Sequence, residues 1–250
     1  MIQVENEQIA GIPVLHISNS ENADQMLPTI IFYHGFTSQK ELYLHYGYLL
    51  AQRGFRVVLP DAKLHGERLQ GANPEDQATF FWDVIETNII EFPLITNELI
   101  KAGKTDANRI GVGGVSMGAI TSLGLLGQYE NIKVAVSLMG SAYYVDFAKE
   151  LSKYALAQGL TFPYDVDERI LTLQKYDLTQ NITKINNRPL LLWHGKKDDV
   201  VPFAYSEKLY QTLVEESLAD NVQFIIDDNA KHRVSVEGML QGVSFFEKFL

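Results

Sequence analysis

Short hydrophobic runs alternate along the chain with longer segments in which hydrophobic residues recur every three or four positions. Six of the short runs are rich in β-branched or aromatic residues and stop at turn-forming residues. This composition is typical of strands buried in a parallel sheet. The predicted strands are 29–33, 56–59, 109–113, 133–139, 189–193 and 222–226.

The segments between these strands have the spacing of amphipathic helices. The second one contains Pro93, which is expected to kink or split it because proline lacks the amide that a helix interior requires. Repeated alternation of strand and helix predicts an α/β fold, with a mostly parallel, doubly wound sheet. The predicted helices cover residues 42–53, 77–102, 116–128, 204–216 and 235–250.

Two segments depart from this regular pattern. Residues 2–7 and 12–17 flank Ala10-Gly11 and predict a hairpin that adds antiparallel edge strands to the sheet. Residues 141–187 separate two predicted strands and are too long for a simple crossover. We therefore expect one domain over 1–250, with a small helical cap insertion at 141–187. The insertion is rich in aromatic residues, namely Tyr143, Tyr144, Phe147, Tyr154, Phe162 and Tyr164.

The composition of the chain argues against several classes of protein function. The chain has 250 residues, 31 acidic against 21 basic side chains and a formal charge of −10, which argues against a nucleic-acid-binding protein. It contains no cysteine, so disulfides, thiolate metal sites and a cysteine nucleophile are excluded. No apolar run is long enough to span a membrane, and the first residues do not resemble a secretory signal. These features predict a cytoplasmic protein without a membrane or nucleic-acid partner; its oligomeric state is left open.

A glycine-rich segment lies between the third predicted strand and the helix that follows it. Gly114, Ser116 and Gly118 form the pattern G-x-S-x-G there. Between a strand and a helix, this pattern places a serine hydroxyl on a sharp turn at the carboxyl edge of the sheet. The amide of Met117, at the helix start, can stabilise an oxyanion at the same point. Ser116 is therefore the candidate nucleophile.

Two other interpretations of this segment need no nucleophile. Ser116 can be read as a residue that simply caps the helix in a glycine-rich turn. Gly111 and Gly113 can also be read as the start of a dinucleotide-binding fingerprint, but Ser116 stands where its third glycine is required. No lysine follows at the position that a P-loop would need.

A serine nucleophile needs a histidine base, and the base needs an acid that fixes its tautomer. His232 follows the last predicted strand directly, and the loops after parallel strands meet at one edge of the sheet. The loop after strand 189–193 offers two adjacent carboxylates, Asp198 and Asp199. The residues alone leave the choice between them open, since one of the two can be a helix cap. Two of the other histidines, His16 and His45, are expected to be structural or solvated, whereas three precede a glycine, namely His34, His65 and His194.

With these residues, the chain resembles the α/β-hydrolases from residue 29 to the C-terminus. Within them it is similar to the small single-domain bacterial carboxylesterases of the dienelactone-hydrolase and prolyl-oligopeptidase-like branch. The family's oxyanion loop, His-Gly-Phe, matches His34-Gly35-Phe36, and this implies that the Phe36 amide is a second oxyanion donor beside Met117. The segment Asp61-x-x-x-His65-Gly66-x-Arg68 is similar to a family segment that shapes the active site.

The resemblance also assigns the acid and the base. The family pattern Gly-x-x-Asp-x-x-Val-Pro begins at Gly195 and selects Asp198 over Asp199. The tripeptide Lys-His-Arg places His232 at the family's base position. The implied function is a serine carboxylesterase that hydrolyses small, uncharged esters of short acyl chain through an acyl-enzyme, without a cofactor or metal.

Of the properties that the resemblance implies, the choice of substrate carries over least. Such enzymes differ most in the region that corresponds to the 141–187 insertion. We expect its aromatic residues to wall an apolar substrate pocket, although ordinary core packing explains any single ring equally well. A thioesterase and an amidase or peptidase use the same triad and remain alternatives, although an exopeptidase of this class normally needs extra binding groups or a propeller domain. A non-catalytic binding protein would usually have lost Ser116, Asp198 or His232. A dehalogenase would need aspartate in place of Ser116.

Overall fold

Eight strands form one sheet in the computed structural model, which describes residues 1–250. Their order across the sheet is β1-β2-β4-β3-β5-β6-β7-β8. The strands are β1 (Ile2–Ile9), β2 (Ile12–Asn19), β3 (Leu27–Tyr33), β4 (Arg56–Pro60), β5 (Thr105–Val115), β6 (Ile132–Leu138), β7 (Leu190–Gly195) and β8 (Val222–Asp227).

The six strands from β3 to β8 are parallel to one another, whereas β2 is antiparallel to both β1 and β4. The predicted α/β fold with an N-terminal antiparallel edge is thereby confirmed. Eight α-helices connect or follow the strands: α1 (Leu44–Ala51), α2 (Pro74–Thr79), α3 (Phe81–Lys101), α4 (Met117–Gln128), α5 (Tyr144–Ala157), α6 (Val166–Leu173), α7 (Phe203–Glu215) and α8 (Val236–Phe249). None of these helices combines the length and apolar character needed to cross a membrane.

Two hydrophobic cores lie on opposite faces of the sheet because successive side chains of a strand point to opposite sides. In β3, Ile31 belongs to the larger core, which α3, α4 and α7 cover, and Ile30 and Phe32 belong to the smaller one under α1 and α8. Burial on both faces explains why the central strands are hydrophobic without alternation.

The helical region 77–102 differs from the prediction in where it breaks. The interruption lies at Phe80, between α2 and α3, and α3 continues through Pro93. Proline removes the amide that would bond to the carbonyl of Ile89. The Tyr129 hydroxyl donates to that carbonyl instead, at 3.0 Å, so the helix is not split. The first predicted helix, 42–53, begins later than expected, because Leu42 lies in a 3-10 turn before α1, where it is exposed.

Residues 141–187, which we call the cap segment, contain α5, α6 and a 3-10 helix at Leu178–Ile185. The Tyr144 hydroxyl donates to the carbonyl of Ile120 in α4 at 2.6 Å. Directly after the segment, the Arg188 guanidinium donates to the carbonyls of Leu126 and Tyr129 at the end of α4. The cap segment is therefore held against the helix that follows the candidate nucleophile.

Candidate active site

Ser116 occupies a strained turn between β5 and α4, with φ 55° and ψ −115°. Such a turn brings the strand and the helix very close together. A Cβ atom at Gly114 would lie 2.4 Å from the carbonyl carbon of Gly118, and one at Gly118 would lie 2.1 Å from the carbonyl oxygen of Tyr33. Only glycine fits both positions, which is the physical reason for the G-x-S-x-G spacing.

Ser116, His232 and Asp198 form one continuous chain of hydrogen bonds. The Ser116 Oγ lies 2.8 Å from the Nε2 of His232. The Nδ1 of the same ring lies 2.8 Å from Oδ2 and 3.0 Å from Oδ1 of Asp198. The three side chains come from the ends of β5, β7 and β8, so the parallel sheet brings them to one edge although 116 residues separate Ser116 from His232.

The Asp198 side chain is fully buried and accepts several hydrogen bonds. Its Oδ1 accepts from the amides of Val200 and Val201 at 2.9 and 3.0 Å, and its Oδ2 lies 3.2 Å from the Nε2 of His194. Burial alone would raise the pKa of this carboxyl. The bonds from His194, His232 and Val200 outweigh burial and hold the pKa of Asp198 well below its usual range, so it is a carboxylate beside His232.

The neighbouring carboxylate does not contact the histidine. Asp199 is 67% exposed and lies 4.0 Å from the Nζ of Lys231. His194 is a site residue for which no role was predicted, and its Nε2 is also 2.9 Å from the carbonyl oxygen of Val201. Its only signal in the sequence was its place at a strand end before a glycine.

Two backbone amides are available beside Ser116. Met117 is the first residue of α4, so its amide has no partner within the helix. The Phe36 amide donates to no protein acceptor. Its neighbour Gly35 packs against the serine, since a Cβ atom at Gly35 would lie 3.8 Å from the Ser116 Cβ. Both amides therefore lie near Ser116, one at the start of α4 and the other in the loop after β3.

The segment 61–68 lies under the loop that carries Phe36 and supports it. Buried Asp61 pairs with buried Lys40, with 2.8 Å between Oδ2 and Nζ, and its Oδ1 accepts from the Lys40 amide at 3.0 Å. The Nε2 of His34 accepts from the amide of Ala62 at 3.0 Å. Sequence reasoning missed Lys40, because nothing in a single lysine distinguishes a buried ion pair from a solvated side chain.

A cavity of about 390 Å³ opens at Ser116. Its wall is mostly hydrophobic and comes from α2, α3, the cap segment and the loop after β7. Four of the six aromatic residues singled out in the cap segment line it, namely Phe147, Tyr154, Phe162 and Tyr164. The other two, Tyr143 and Tyr144, do not line the cavity and are buried in the larger core.

One cluster of side chains has the composition of a metal site, far from Ser116 in the N-terminal hairpin. It consists of Glu5, Glu7 and His16. The His16 Nε2 lies 2.5 Å from Nη1 of Arg56, which can only donate, and its Nδ1 lies 2.5 Å from Glu7. Neither ring nitrogen has a free lone pair, so the cluster is explained as a hydrogen-bonded structural group.

Comparison with known proteins places this architecture in a family. Residues 42–250 match the model of the prolyl oligopeptidase family. YitV of Bacillus subtilis (strain 168), provisionally named an esterase, is 43% identical over the full length of both chains. Esterase YjfP of Escherichia coli (strain K12) is 33% identical, also over both full lengths. Among solved structures, TT1662 from Thermus thermophilus superposes with a TM-score of 0.75 at 20% identity, covering 99% of this chain and 98% of the other.

The family match extends from before α1 to the C-terminus and so includes the positions of Ser116, Asp198 and His232. The two relatives are similar over the whole chain, the cap segment included. The chain therefore belongs to the prolyl oligopeptidase family and is a serine hydrolase of the α/β-hydrolase fold, in the branch that includes esterases.

Proposed function

We propose that the protein is a carboxylesterase that hydrolyses small, uncharged esters of short acyl chain through a covalent acyl-enzyme. The observation that carries this proposal is the hydrogen-bonded chain from Ser116 through His232 to Asp198 at the opening of an apolar cavity. The esterase names of the two relatives support ester hydrolysis over the other reactions of this triad.

In the acylation step, the Ser116 Oγ attacks the ester carbonyl carbon and its proton passes to Nε2 of His232. Asp198 accepts a hydrogen bond from the Nδ1–H of that ring and stabilises the cation that forms. The amides of Phe36 and Met117 donate to the oxygen that becomes negative. The bond from carbon to the alcohol oxygen then breaks, and His232 returns its proton to the departing alcohol.

Deacylation repeats the same chemistry with water. His232 takes a proton from water as the oxygen attacks the acyl carbon, and it protonates Ser116 as the acyl–serine bond breaks. The products are a carboxylic acid and the regenerated serine hydroxyl. This chain's own residues perform every proton transfer in the cycle.

The cavity supports the substrate class. Its mostly hydrophobic wall favours an uncharged group, since an ionised group would lose hydration there and the one charged side chain in the wall, Arg169, already pairs with Glu86. Its volume of about 390 Å³ lies toward the lower end of the range for pockets that bind small molecules.

The test is hydrolysis of p-nitrophenyl esters from acetyl to dodecanoyl by the wild type and by Ser116→Ala. We expect activity on the short esters, none in the variant, and an unchanged circular dichroism spectrum. Mass spectrometry after phenylmethanesulfonyl fluoride treatment should find one adduct, on Ser116. Equal rates in the two proteins, or higher rates on thioesters or anilides than on esters, would overturn the proposal.

A further inference from the structure

The loop that carries Phe36 has an uneven pattern of hydrogen bonds. The amide before it, that of Gly35, donates to the Tyr43 hydroxyl at 3.0 Å. The amide after it, that of Thr37, donates to Nε2 of His65 at 3.0 Å. Each flanking amide therefore has a side-chain acceptor, and the Phe36 amide between them has none.

His65 is built to accept this bond. Its ring is fully buried, and its Nδ1 lies 2.8 Å from the carbonyl oxygen of Lys63. A carbonyl oxygen only accepts, so Nδ1 carries the ring proton and the lone pair of Nε2 faces Thr37. Burial lowers the pKa of His65, which favours the neutral ring that this arrangement needs.

The residue that His65 holds has a strained backbone. Thr37 has a φ of 57°, which is unusual for a β-branched residue and persists only where surrounding contacts enforce it. The bond to His65 is one such contact, and the His65 ring also packs edge-on against Phe36 at 5.7 Å. Without them, the Thr37 backbone would relax and turn the peptide groups around Phe36.

Tyr43 holds the amide on the other side of Phe36, that of Gly35, and Tyr43 is itself held in place. It ends the 3-10 turn Lys40–Tyr43, which the buried pair of Lys40 and Asp61 ties to the loop after β4. A Cβ atom at residue 35 would lie 2.9 Å from the Tyr43 Oη. A side chain at residue 35 would therefore displace the Tyr43 hydroxyl that accepts from the Gly35 amide.

We propose that Tyr43 and His65 are positioning residues for the oxyanion donor of this enzyme. They hold the amides on both sides of Phe36 and aim the one unpaired amide at the oxygen that becomes negative when Ser116 attacks. The inference rests on the proposed function, in which Phe36 is an oxyanion donor. Neither side chain lines the cavity at Ser116, so both act through the backbone.

The experiment compares Tyr43→Phe, His65→Leu and His65→Gln with the wild type. The first two remove an acceptor, whereas glutamine keeps an acceptor at about the place of Nε2. Tyr48→Phe is the matched control, because Tyr48 is an exposed tyrosine of α1 whose hydroxyl bonds only to Gln52. Each protein is assayed for kcat and KM on p-nitrophenyl acetate and for inhibition by a trifluoromethyl ketone, which forms an oxyanion with the catalytic serine.

We expect kcat to fall about 10- to 100-fold in His65→Leu and about 2- to 10-fold in Tyr43→Phe, with KM changed less than about twofold. The inhibition constant of the ketone should rise by the same factor as kcat/KM falls, because both report the oxyanion. His65→Gln should recover kcat to within about threefold of the wild type, and the control should match the wild type.

A folded His65→Leu variant with wild-type kcat, or one with a raised KM and unchanged ketone binding, would overturn the inference. If His65→Leu does not fold, Tyr43→Phe decides, since it removes a single oxygen and keeps the ring. Wild-type kcat and ketone affinity in that variant would also refute the inference. Failure of the proposed function has a different signature, because the wild type would then show no hydrolysis that depends on Ser116.

Discussion

Replacement of Asp198 by asparagine should nearly abolish hydrolysis while the adjacent replacement, Asp199→Asn, leaves it intact. The two carboxylates are neighbours in sequence, but only Asp198 is buried against His232. Because the two changes are chemically identical, the pair separates the effect of the buried, hydrogen-bonded position of Asp198 from the loss of a negative charge in this loop.

The size of the effect follows from the hydrogen bonds around the carboxylate. An asparagine NH2 group at the Oδ1 position would face the donating amides of Val200 and Val201. The amide oxygen therefore takes that position, and the NH2 group takes the Oδ2 position, which is the nearer of the two to Nδ1 of His232, at 2.8 against 3.0 Å. To accept a hydrogen bond from this group, Nδ1 must lose its proton, which moves to Nε2. The ring then has no lone pair for Ser116.

A base held in the wrong tautomer costs about 10⁴-fold in kcat, or about 5 kcal/mol of transition-state stabilisation. In contrast, Asp199→Asn removes only a solvated contact 4.0 Å from Lys231 and should change kcat less than about twofold. The assay is steady-state hydrolysis of p-nitrophenyl acetate, with circular dichroism to check the fold. A larger loss in Asp199→Asn, or less than about tenfold in Asp198→Asn, would refute the reasoning.

The same carboxylate gives a pH-dependent prediction for stability. The folded state lowers the pKa of Asp198 below its ordinary value of 3.8, so the group stabilises the folded protein above about pH 4. This contribution is lost as the pH falls through the folded-state pKa. Between pH 5 and pH 3, the free energy of unfolding from urea titrations should fall less in Asp198→Asn than in the wild type. Equal losses in the two proteins would contradict the argument.

Three further outcomes follow. Burial lowers the pKa of His34 to about 4, so the free energy of unfolding should fall as the pH drops from about 6.5 to about 4, and fall less in His34→Gln. Gly118→Ala puts a methyl group against the Tyr33 carbonyl and should lower the free energy of unfolding by about 1–3 kcal/mol, measured by thermal unfolding. An unchanged melting temperature would contradict this steric argument. Leu151→Trp narrows the cavity and should lower kcat/KM for octanoyl esters at least about tenfold more than for acetyl esters.

The fold was largely predictable because its signals are local. Runs of β-branched residues ending at turns identified β3 to β8, and the pattern G-x-S-x-G carries its own steric reason, the approach of Gly118 to the strand before it. The break in the 77–102 helix was misplaced for the opposite reason. Proline disrupts a helix only if the carbonyl it frees stays unpaired, and Tyr129, 36 positions further along the chain, supplies the missing donor.

The choice between Asp198 and Asp199 shows that local sequence patterns are insufficient within the site as well. In the sequence the two residues are chemically equivalent, and only the family resemblance favours Asp198 as the acid that pairs with His232. The structure shows one side chain buried among four donor residues and the other in solvent.

By itself, the sequence determined the order of strands and helices, the strained turn at Ser116 and the set of residues able to form a triad. Periodicity and steric demand act over a few neighbouring residues, so a pattern along the chain can encode them. The tertiary structure alone decided which carboxylate meets His232, which aromatic residues line the cavity, and how Tyr43 and His65 hold the amides beside Phe36. Those contacts depend on where distant loops meet at the edge of the sheet, and no local pattern specifies that meeting.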